Sequence, residues 1–280
     1  MKILVTGATG RIGSRLVPRL VRRDHYVRVL VRHPESATAL RAPGVDIVRG
    51  DITDARSLAQ AVTDMDAIVH LAAFFRGATP AQAQAVNVDG TVALAHAAVA
   101  AEVQQFVFIS TNLVYGPGHG ERFREQHPLH PTSAYPISKL AAEQALLTLH
   151  QTQGLGLRIL RLAFVYGEGD PHLTEGMRWF SNWNSNQEMH LVHHADVGQA
   201  VALVLDTPNI DGQIYNVADD EPTAAGDIVR LLGEDIALDA TSRPLDPAFH
   251  QLVDTSGIRR DLGFRPVYPS LRDAVAAGAL

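Results

Sequence analysis

Near the N-terminus the chain reads Lys2-Ile3-Leu4-Val5-Thr6-Gly7-Ala8-Thr9-Gly10-Arg11-Ile12-Gly13. The first five residues of this run are apolar and partly β-branched, which is typical of a buried strand. A helical pattern of apolar residues follows directly, over residues 12–23. Strand, glycine turn and helix together are the context in which a phosphate-binding glycine motif operates. We therefore predict a dinucleotide site at this turn.

Each glycine of the turn has its own predicted role. Gly7 allows the tight turn, Gly10 lets a pyrophosphate approach the backbone, and Gly13 lets the helix pack on the strand. The phosphates would lie at the helix N-terminus, where backbone N–H groups favour an anion. The spacing is GxxGxxG rather than GxGxxG. The alternative is a glycine-rich turn without a ligand, but the position after a strand favours the dinucleotide site.

Strand and helix patterns alternate along the chain. After the glycine turn we predict further strands at residues 26–31, 45–49, 67–71, 105–110 and 157–162. The two longest helical patterns between them run over residues 80–102 and 133–150. This alternation predicts an α/β fold with a doubly wound parallel sheet, the Rossmann fold, in which ligands bind at the carboxyl ends of the strands.

The composition excludes several classes of function. The 280 residues suffice for one large α/β domain, or for a main domain and a small lobe. A net charge of −6 gives no indication of nucleic-acid binding. Cysteine is absent, which excludes disulfides and thiolate metal sites. Because we find no secretory signal pattern and no apolar run of membrane-spanning length, we expect a cytoplasmic protein that does not bind membranes.

The end of the second predicted strand indicates which dinucleotide is bound. An acidic side chain there would bond the ribose 2′-hydroxyl of NAD, whereas an arginine accommodates the 2′-phosphate of NADP. This chain has Arg32 and no carboxylate at residues 31–33. Arg32, helped by Arg11 of the glycine turn, predicts NADP through a charge-assisted bond. The alternatives are a solvated surface arginine and NAD as the cofactor.

A second chemical pattern is Tyr135-Pro136-Ile137-Ser138-Lys139, in a segment that is predicted to be helical. A spacing of four residues puts the Tyr135 hydroxyl and the Lys139 ammonium on one helix face. A phenol titrates at about pH 10 in water, and a neighbouring ammonium favours the phenolate. The pair could therefore exchange a proton with a substrate near neutral pH.

These motifs together resemble those of the extended short-chain dehydrogenases/reductases, in the NAD(P)-dependent epimerase/dehydratase family. The resemblance covers essentially the full length. Beyond the glycine motif it rests on Asp51-Ile52, His70-Leu71-Ala72-Ala73, Val86-Asn87-Val88-Asp89-Gly90-Thr91, Ser110-Thr111-Asn112-Leu113-Val114-Tyr115-Gly116 and the Tyr135/Lys139 pair.

The resemblance implies a catalytic set of Thr111, Tyr135 and Lys139. Tyr135 would act as general acid or base, Lys139 would bind the nicotinamide ribose and lower the pKa of Tyr135, and Thr111 would hold the substrate oxygen. Without the resemblance, Thr111 is better interpreted as a strand-end residue that caps a turn. The implied cofactor-binding residues are Gly7, Thr9, Gly10, Arg11, Ile12, Gly13, Arg32, Asp51, Ile52, Leu71, Ala72, Ala73, Asn87, Tyr135, Lys139, Phe164 and Val165.

Two departures from the family pattern narrow the predicted reaction. Sugar-nucleotide dehydratases of the family carry an Asp-Glu pair where this chain has Asn112 and Leu113, which cannot do acid/base work. Phe164 stands where nucleotide-sugar enzymes have a substrate-binding asparagine, which indicates a more apolar pocket. The predicted substrate-binding residues are Phe74, Asn112, Phe164, Trp179 and Trp183. For the tryptophans, anchoring the C-terminal lobe is an equally good interpretation.

The predicted organisation is a cofactor domain at residues 1–167 and a small substrate lobe, interwoven with it, at 168–280. We expect no metal site, although His190, His193 and His194 lie close in sequence. The family often dimerises through its two long helices, here about residues 80–102 and 133–150, so we expect a homodimer.

The leading prediction is an NADP-preferring oxidoreductase that acts on a carbonyl or secondary alcohol of a small-molecule substrate. One alternative is an NAD-dependent sugar epimerase, which would use the same three residues and retain its NAD. A second alternative is a non-catalytic NADP-binding regulatory protein, which would typically lack the Tyr-Lys pair.

Overall fold

The computed structural model describes residues 1–75, 77, 79–118 and 120–280. The chain forms two compact units, and neither is continuous in sequence. The first comprises residues 1–111, 133–160 and 201–214, and the second comprises residues 112–132, 161–200 and 215–280. These bounds differ from those of the predicted cofactor domain (1–167) and substrate lobe (168–280). The division into a part that binds cofactor and a part that binds substrate stays a prediction.

Eleven strands are present in the described part of the chain. They are β1 (Lys2–Thr6), β2 (Tyr26–Val31), β3 (Val45–Arg49), β4 (Ala67–His70), β5 (Gln105–Thr111), β6 (Leu157–Leu162), β7 (Phe164–Tyr166), β8 (Glu188–Met189), β9 (Leu191–His193), β10 (Ile214–Val217) and β11 (Thr223–Ala224). Seven of them form one parallel sheet in the order β10-β6-β5-β4-β1-β2-β3. Two small two-stranded sheets, β11-β8 and β7-β9, belong to the second unit. The predicted doubly wound fold is confirmed.

Ten α-helices accompany these strands among the described residues. They are α1 (Gly13–Arg22), α2 (Ala55–Val62), α3 (Pro80–Ala83), α4 (Thr91–Ala100), α5 (Ala134–Gln153), α6 (His172–Phe180), α7 (His194–Asp206), α8 (Ala225–Leu231), α9 (Ser256–Leu262) and α10 (Leu271–Ala276). None of the helices in this part of the chain is both long enough and apolar enough to cross a membrane.

Helix α5 has clear chemical start and stop signals. Pro136 falls in its first turn, where the missing N–H would have no intrahelical partner. The helix ends at Gly154, which takes the left-handed conformation at φ 71°. The resulting 20-residue helix holds Tyr135 and Lys139 one turn apart.

The helix predicted over residues 80–102 is present from Pro80 to Ala100, but it is not α-helical throughout. A π-helical segment, Gln84–Gly90, separates α3 from α4. Such segments often occur at functional sites, since the wider turn changes the direction of a side chain. Here the segment holds Asn87 with its side chain buried and bonded, and periodicity alone does not reveal this.

The strand order reverses between β1 and β4. The chain goes outward from β1 to β2 and β3, and it then returns to β4 on the other side of β1. In a doubly wound sheet, ligands bind beyond the carboxyl ends of the strands at such a switch point. The glycine turn follows β1 and residues 71–73 follow β4, so both lie at this point.

Candidate active site

The glycine turn after β1 is shaped by the absence of side chains. Gly7 has φ +70°, and a Cβ on it would lie 2.6 Å from the Ala72 nitrogen. A Cβ on Gly13 would lie 2.3 Å from the Gly7 carbonyl oxygen. A Cβ on Gly10 would meet one atom among the described residues other than its chain neighbours, the Gly7 oxygen at 3.2 Å. Gly7 and Gly13 thus serve packing, whereas the outer side of Gly10 is open to a ligand, which fits a pyrophosphate.

The turn presents its exposed residues at the N-terminus of α1. Thr9, Gly10 and Arg11 are exposed, while Ile12 is half-buried. The Gly10 N–H donates to the Gly7 oxygen at 3.0 Å, and the Ser14 N–H donates to the Gly10 oxygen at 2.9 Å. These bonds hold the turn in place beside the first turn of a helix, whose dipole favours a bound anion.

The ends of β2 and β3 carry the residues predicted to meet the adenosine part of the cofactor. Arg32 is exposed directly after β2. The Asp51 carboxylate accepts the backbone N–H of Thr53 at 2.9 Å and its hydroxyl at 2.7 Å. The N–H bond is the largest cause of a lowered Asp51 pKa, and the Arg32 charge contributes. Asp51 is therefore ionised at neutral pH near Arg32, while Ile52 is buried.

His70, at the end of β4, is a site residue whose role sequence reasoning missed. It is fully buried, with Nδ1 2.6 Å from the Thr6 hydroxyl and Nε2 2.8 Å from the Thr91 hydroxyl. The Thr91 hydroxyl donates to the Asn87 carbonyl, so it accepts a proton from Nε2, and Nδ1 then accepts from Thr6. Burial lowers the pKa of His70 to about 3, so the ring is neutral. A lone histidine in an otherwise apolar strand was the available signal.

Asn87 holds the segment after β4 against α5. Its Oδ1 accepts the Phe74 N–H at 2.7 Å, and its Nδ2 donates to the Phe74 oxygen at 3.0 Å and to the Ser138 hydroxyl at 2.9 Å. The Ser138 hydroxyl donates in turn to the Tyr135 carbonyl at 2.7 Å. Both Nδ2 protons are thus used within the protein. Asn87 therefore positions the half-buried residues 71–74, which were predicted to line the cofactor.

The three predicted catalytic residues lie on two elements that pack together, β5 and α5. Thr111 ends β5 and is almost fully buried. Tyr135 is half-buried, and its ring contacts the ring of Phe75 at 4.8 Å between centroids. Lys139 is 1% exposed, with Nζ 3.9 Å above the ring of Phe108, which lies three residues before Thr111 on β5. A hydroxyl, a phenol and an ammonium are thus held by one strand and one helix.

Burial dominates the titration of this pair. Burial lowers the pKa of Lys139 to about 7, although the charge of Glu143 raises this pKa. It also raises the pKa of Tyr135 well above its usual value of 10.0. The expected lowering of the Tyr135 pKa by Lys139 is therefore not found, and the loss of water around the phenol is what shifts this pKa.

In the second unit, two of the remaining predicted residues, Phe164 and Trp183, belong to a row of aromatic contacts. Phe164 stacks on His172 at 3.9 Å between ring centroids and meets Phe180 edge-on at 5.9 Å. Phe180 contacts Trp183 at 5.3 Å, and Trp183 stacks on Phe249 at 4.5 Å. These contacts support the anchoring role of Trp183.

Three other predicted residues of this unit also have protein partners. The Arg178 guanidinium lies 4.4 Å from the centre of the Trp179 ring. The Asn112 amide donates to the Gln251 carbonyl at 3.1 Å. The Val165 carbonyl lies 2.9 Å from His172 Nδ1. Asn112 therefore connects two segments of the unit.

The histidines at positions 190, 193 and 194 each have a separate protein partner. His190 Nδ1 accepts the Val253 N–H at 2.9 Å, and His193 Nε2 lies 2.8 Å from the Ala279 carbonyl. His194 Nε2 lies 2.8 Å from the Asp170 carboxylate. Across the residues for which the structure gives positions, no three histidine or carboxylate side chains are arranged to hold a metal ion.

Comparison with known proteins gives a family match and several relatives. Residues 3–218 match the family described as the NAD dependent epimerase/dehydratase family. A dTDP-glucose 4,6-dehydratase of Streptomyces antibioticus is 30% identical over 95% of this chain and 88% of its own. A quinoline-oxide ketoreductase of Stigmatella aurantiaca is 30% identical over 84% of this chain and 73% of its own. A short-chain dehydrogenase/reductase superfamily protein of Agrobacterium tumefaciens, solved with bound NAD, superposes with a TM-score of 0.83 at 27% identity, covering 99% of this chain and 97% of its own.

The second and third glycines of the turn, Gly10 and Gly13, should separate dinucleotide binding from folding. Gly10→Ala places a methyl group where, among the described residues other than its chain neighbours, the Gly7 oxygen is the one atom nearby, so we expect a folded protein whose dinucleotide affinity falls at least about tenfold. Gly13→Ala forces its Cβ into the backbone of the turn, so we expect a loss of stability of about 2 kcal/mol or more. Urea denaturation and fluorescence titration with NADPH measure the two effects. Equal loss of stability in both variants would contradict the assignment.

Lys139 should make the stability of the cofactor-free protein depend on pH. Its folded-state pKa of about 7 lies below the ordinary 10.5, so protonation favours the unfolded chain between these values. The free energy of unfolding of the wild type, minus that of Lys139→Met, should therefore rise above pH 7 by up to about 1.4 kcal/mol per pH unit. Urea denaturation at a series of pH values measures this difference. A difference that does not change with pH would show that Lys139 is not destabilised by burial.

Proposed function

Because the chain belongs to the NAD dependent epimerase/dehydratase family, we propose that it is an NADP-preferring oxidoreductase that acts on a carbonyl or secondary alcohol. Membership of this family makes it an enzyme of the NAD(P)-dependent oxidoreductase type. The observation that carries the finer proposal is the placement of Tyr135 and Lys139 one turn apart on α5, against the strand that ends in Thr111.

The residues of this set have separate tasks in the proposed reaction. When bound, the nicotinamide dinucleotide supplies or accepts the hydride. The Tyr135 phenol, kept protonated by its burial, donates its proton to the carbonyl oxygen, which favours the reductive direction. The Thr111 hydroxyl holds that oxygen by a hydrogen bond. The Lys139 ammonium binds the ribose hydroxyls and stabilises the phenolate that remains.

Dehydration is not part of the proposal, although one relative is a dehydratase. That reaction needs an acid and a base beside the catalytic threonine, and this chain has Asn112 and Leu113 there. The Asn112 amide is also bonded to the Gln251 carbonyl. The relative from Stigmatella aurantiaca is a ketoreductase, and carbonyl reduction is the simpler chemistry that we propose for this chain.

The proposed substrate is a small molecule with an apolar or aromatic part. Phe164 replaces the asparagine that nucleotide-sugar enzymes use, and its ring stacks on His172. We place Phe74, Asn112, Phe164, Trp179 and Trp183 at the substrate, and Phe164 and Val165 also near the nicotinamide. An aromatic surface contributes apolar contact and stacking but no charge for a diphosphate.

The second candidate is an NAD-dependent sugar epimerase. It is favoured by the family match and by the Agrobacterium protein, whose structure holds NAD. An epimerase would use the same three residues, but it would retain NAD through purification and return the hydride to the opposite face. The absorbance spectrum of the freshly purified protein therefore separates the two candidates.

The NADP preference rests on Arg32, which is exposed after β2 in a chain segment without a carboxylate at residues 31–33. Arg11, exposed in the glycine turn, supports the same preference. We further propose a cytoplasmic homodimer that pairs through the α4 and α5 region. Three half-buried alanines there, Ala93, Ala97 and Ala141, would permit close packing.

The cofactor preference should invert in Arg32→Asp. Loss of one charge-assisted bond and gain of a repelling carboxylate should weaken NADPH binding at least about tenfold, while NADH binding is held or improved. Fluorescence titrations with both cofactors measure this. Arg22→Asp, at the far end of α1, makes the same change of net charge and should leave the ratio of affinities unchanged. Unchanged NADPH affinity in Arg32→Asp, or retained NAD in the wild type, would contradict the NADP preference.

Tyr135→Phe should abolish turnover without abolishing cofactor binding. In a screen of ketones and aldehydes followed by loss of NADPH absorbance, we expect kcat to fall about 100-fold or more, which is the usual contribution of a general acid. NADPH affinity should stay within about threefold, since the phenol is proposed to act on substrate. Tyr26→Phe, at the exposed start of β2, is the matched control. Turnover by Tyr135→Phe at the wild-type rate would exclude the proposed acid.

A further inference from the structure

Helix α5 carries a third ionisable group in line with Tyr135 and Lys139. Glu143 lies one turn beyond Lys139, so three such side chains follow each other on one helix face at four-residue spacing. Glu143 is fully buried and Lys139 is 1% exposed. The proposed reaction uses the first two groups and assigns nothing to Glu143. A buried carboxylate is costly to a fold unless it is bonded and paired, so its presence needs a reason.

Ser110 connects Glu143 to the strand that carries Thr111. The Ser110 hydroxyl donates a short hydrogen bond to Glu143 Oε1, and Ser110 is itself only 3% exposed. A hydrogen bond donated to a carboxylate favours its charged form. The residue directly after Ser110 is Thr111. The Ser110–Glu143 bond therefore fixes the Glu143 carboxyl group one turn from Lys139 and, at the same time, holds the end of β5 against helix α5.

Among the described residues, the other groups that contact or flank Lys139 are uncharged. From β5 it meets the ring of Phe108. From β4 the neutral His70 stacks on that ring at 5.7 Å, and its pKa is affected by the charge of Lys139. From its own helix it is flanked by Tyr135, which burial keeps protonated, and by Glu143. Among these neighbours Glu143 is the carboxylate that favours the charged form of Lys139.

We propose that Glu143, held by Ser110, is a positioning residue that keeps Lys139 protonated at neutral pH, the state in which Lys139 binds the cofactor ribose. The inference rests on the proposed role of Lys139. It assigns to Glu143 an effect on the lysine and no direct contact with cofactor or substrate.

The expected size of the effect follows from ordinary electrostatics. An opposite charge one helical turn away changes a pKa by about one to three units. With Glu143 present, the pKa of Lys139 is about 7, so a substantial fraction of the ammonium persists at neutral pH. Without that charge the pKa falls further, and at neutral pH about a tenth or less of the lysine would stay protonated.

The first test uses the protein without cofactor, in a double-mutant cycle. Glu143→Gln keeps the shape of the side chain and an oxygen that accepts from Ser110, and it removes only the charge. The gain in unfolding free energy from Lys139→Met is measured by urea denaturation at a series of pH values, in the wild type and in Glu143→Gln. This gain is constant below the folded-state pKa of Lys139 and declines above it. The pH at which the decline begins therefore reports that pKa.

We expect the decline to begin near pH 7 in the wild type and at least about one pH unit lower in Glu143→Gln. The same onset in both backgrounds would overturn the proposal. Should Glu143→Gln fail to fold, Ser110→Ala takes its place, because it removes the hydrogen bond that holds the Glu143 carboxyl group one turn from Lys139. Ser110→Ala is expected to lower the pH at which the decline begins, by less than Glu143→Gln does. If this pH is the same in Ser110→Ala as in the wild type, the proposal is overturned.

The second test measures NADPH affinity by fluorescence at several pH values. In Glu143→Gln we expect about tenfold weaker binding at neutral pH, recovered at lower pH where Lys139 is protonated again. Glu143→Asp, which retains the charge, should restore most of the wild-type profile. A loss that persists at every pH would indicate a merely structural role and would overturn the inference. If Lys139→Met binds NADPH as the wild type does, the proposed role of Lys139 fails, while the stability cycle still decides whether Glu143 controls its charge.

Discussion

The close approach of helix α1 to the turn that precedes it constrains the rest of the first unit. A Cβ on Gly13 would lie 2.3 Å from the Gly7 oxygen, and a Cβ on Gly7 would lie 2.6 Å from the Ala72 nitrogen. The first contact joins α1 to β1, and the second joins the turn to the segment after β4. Because both contacts are backbone to backbone, side chains elsewhere cannot compensate for a larger residue. The backbone at the switch point of the sheet is therefore fixed by these two contacts. Gly10 is the glycine of this turn that leaves space for a ligand.

A chain of buried hydrogen bonds extends this geometry to the helix with the reactive groups. It runs from Thr6 through His70 and Thr91 to Asn87, and on to Ser138 and Tyr135. Each member has its hydrogen bonds within the protein, which is the condition under which polar groups are tolerated in a core. The same exclusion of water keeps His70 neutral and brings Lys139 near its titration point at neutral pH. Burial of the Lys139 ammonium therefore costs the fold stability, which its lowered pKa reflects.

The framework of the chain is shared with a solved relative, whereas the proposed reaction rests on a few positions of this chain. The chain superposes on an NAD-bound relative over nearly its whole length. Yet it lacks the carboxylates of a dehydratase at Asn112 and Leu113, and it carries Phe164 in a stacked aromatic row. A fold hosts many reactions, so function has to be argued from such positions. Here they favour a simple hydride transfer on a substrate with an apolar part.

The sequence by itself determined the sheet, the glycine turn and the identity of the pair on α5. These features are local: they depend on periodicity of two or 3.6 residues, on glycine spacing and on the four-residue separation of Tyr135 and Lys139. The tertiary structure alone decided the π-helical segment at Asn87, the link from Ser110 to Glu143 and the neutral state of His70. It also reversed the expected pKa of Tyr135. Burial and hydrogen bonding between residues far apart in the chain set these properties, and no pattern of neighbouring residues encodes how much water is excluded.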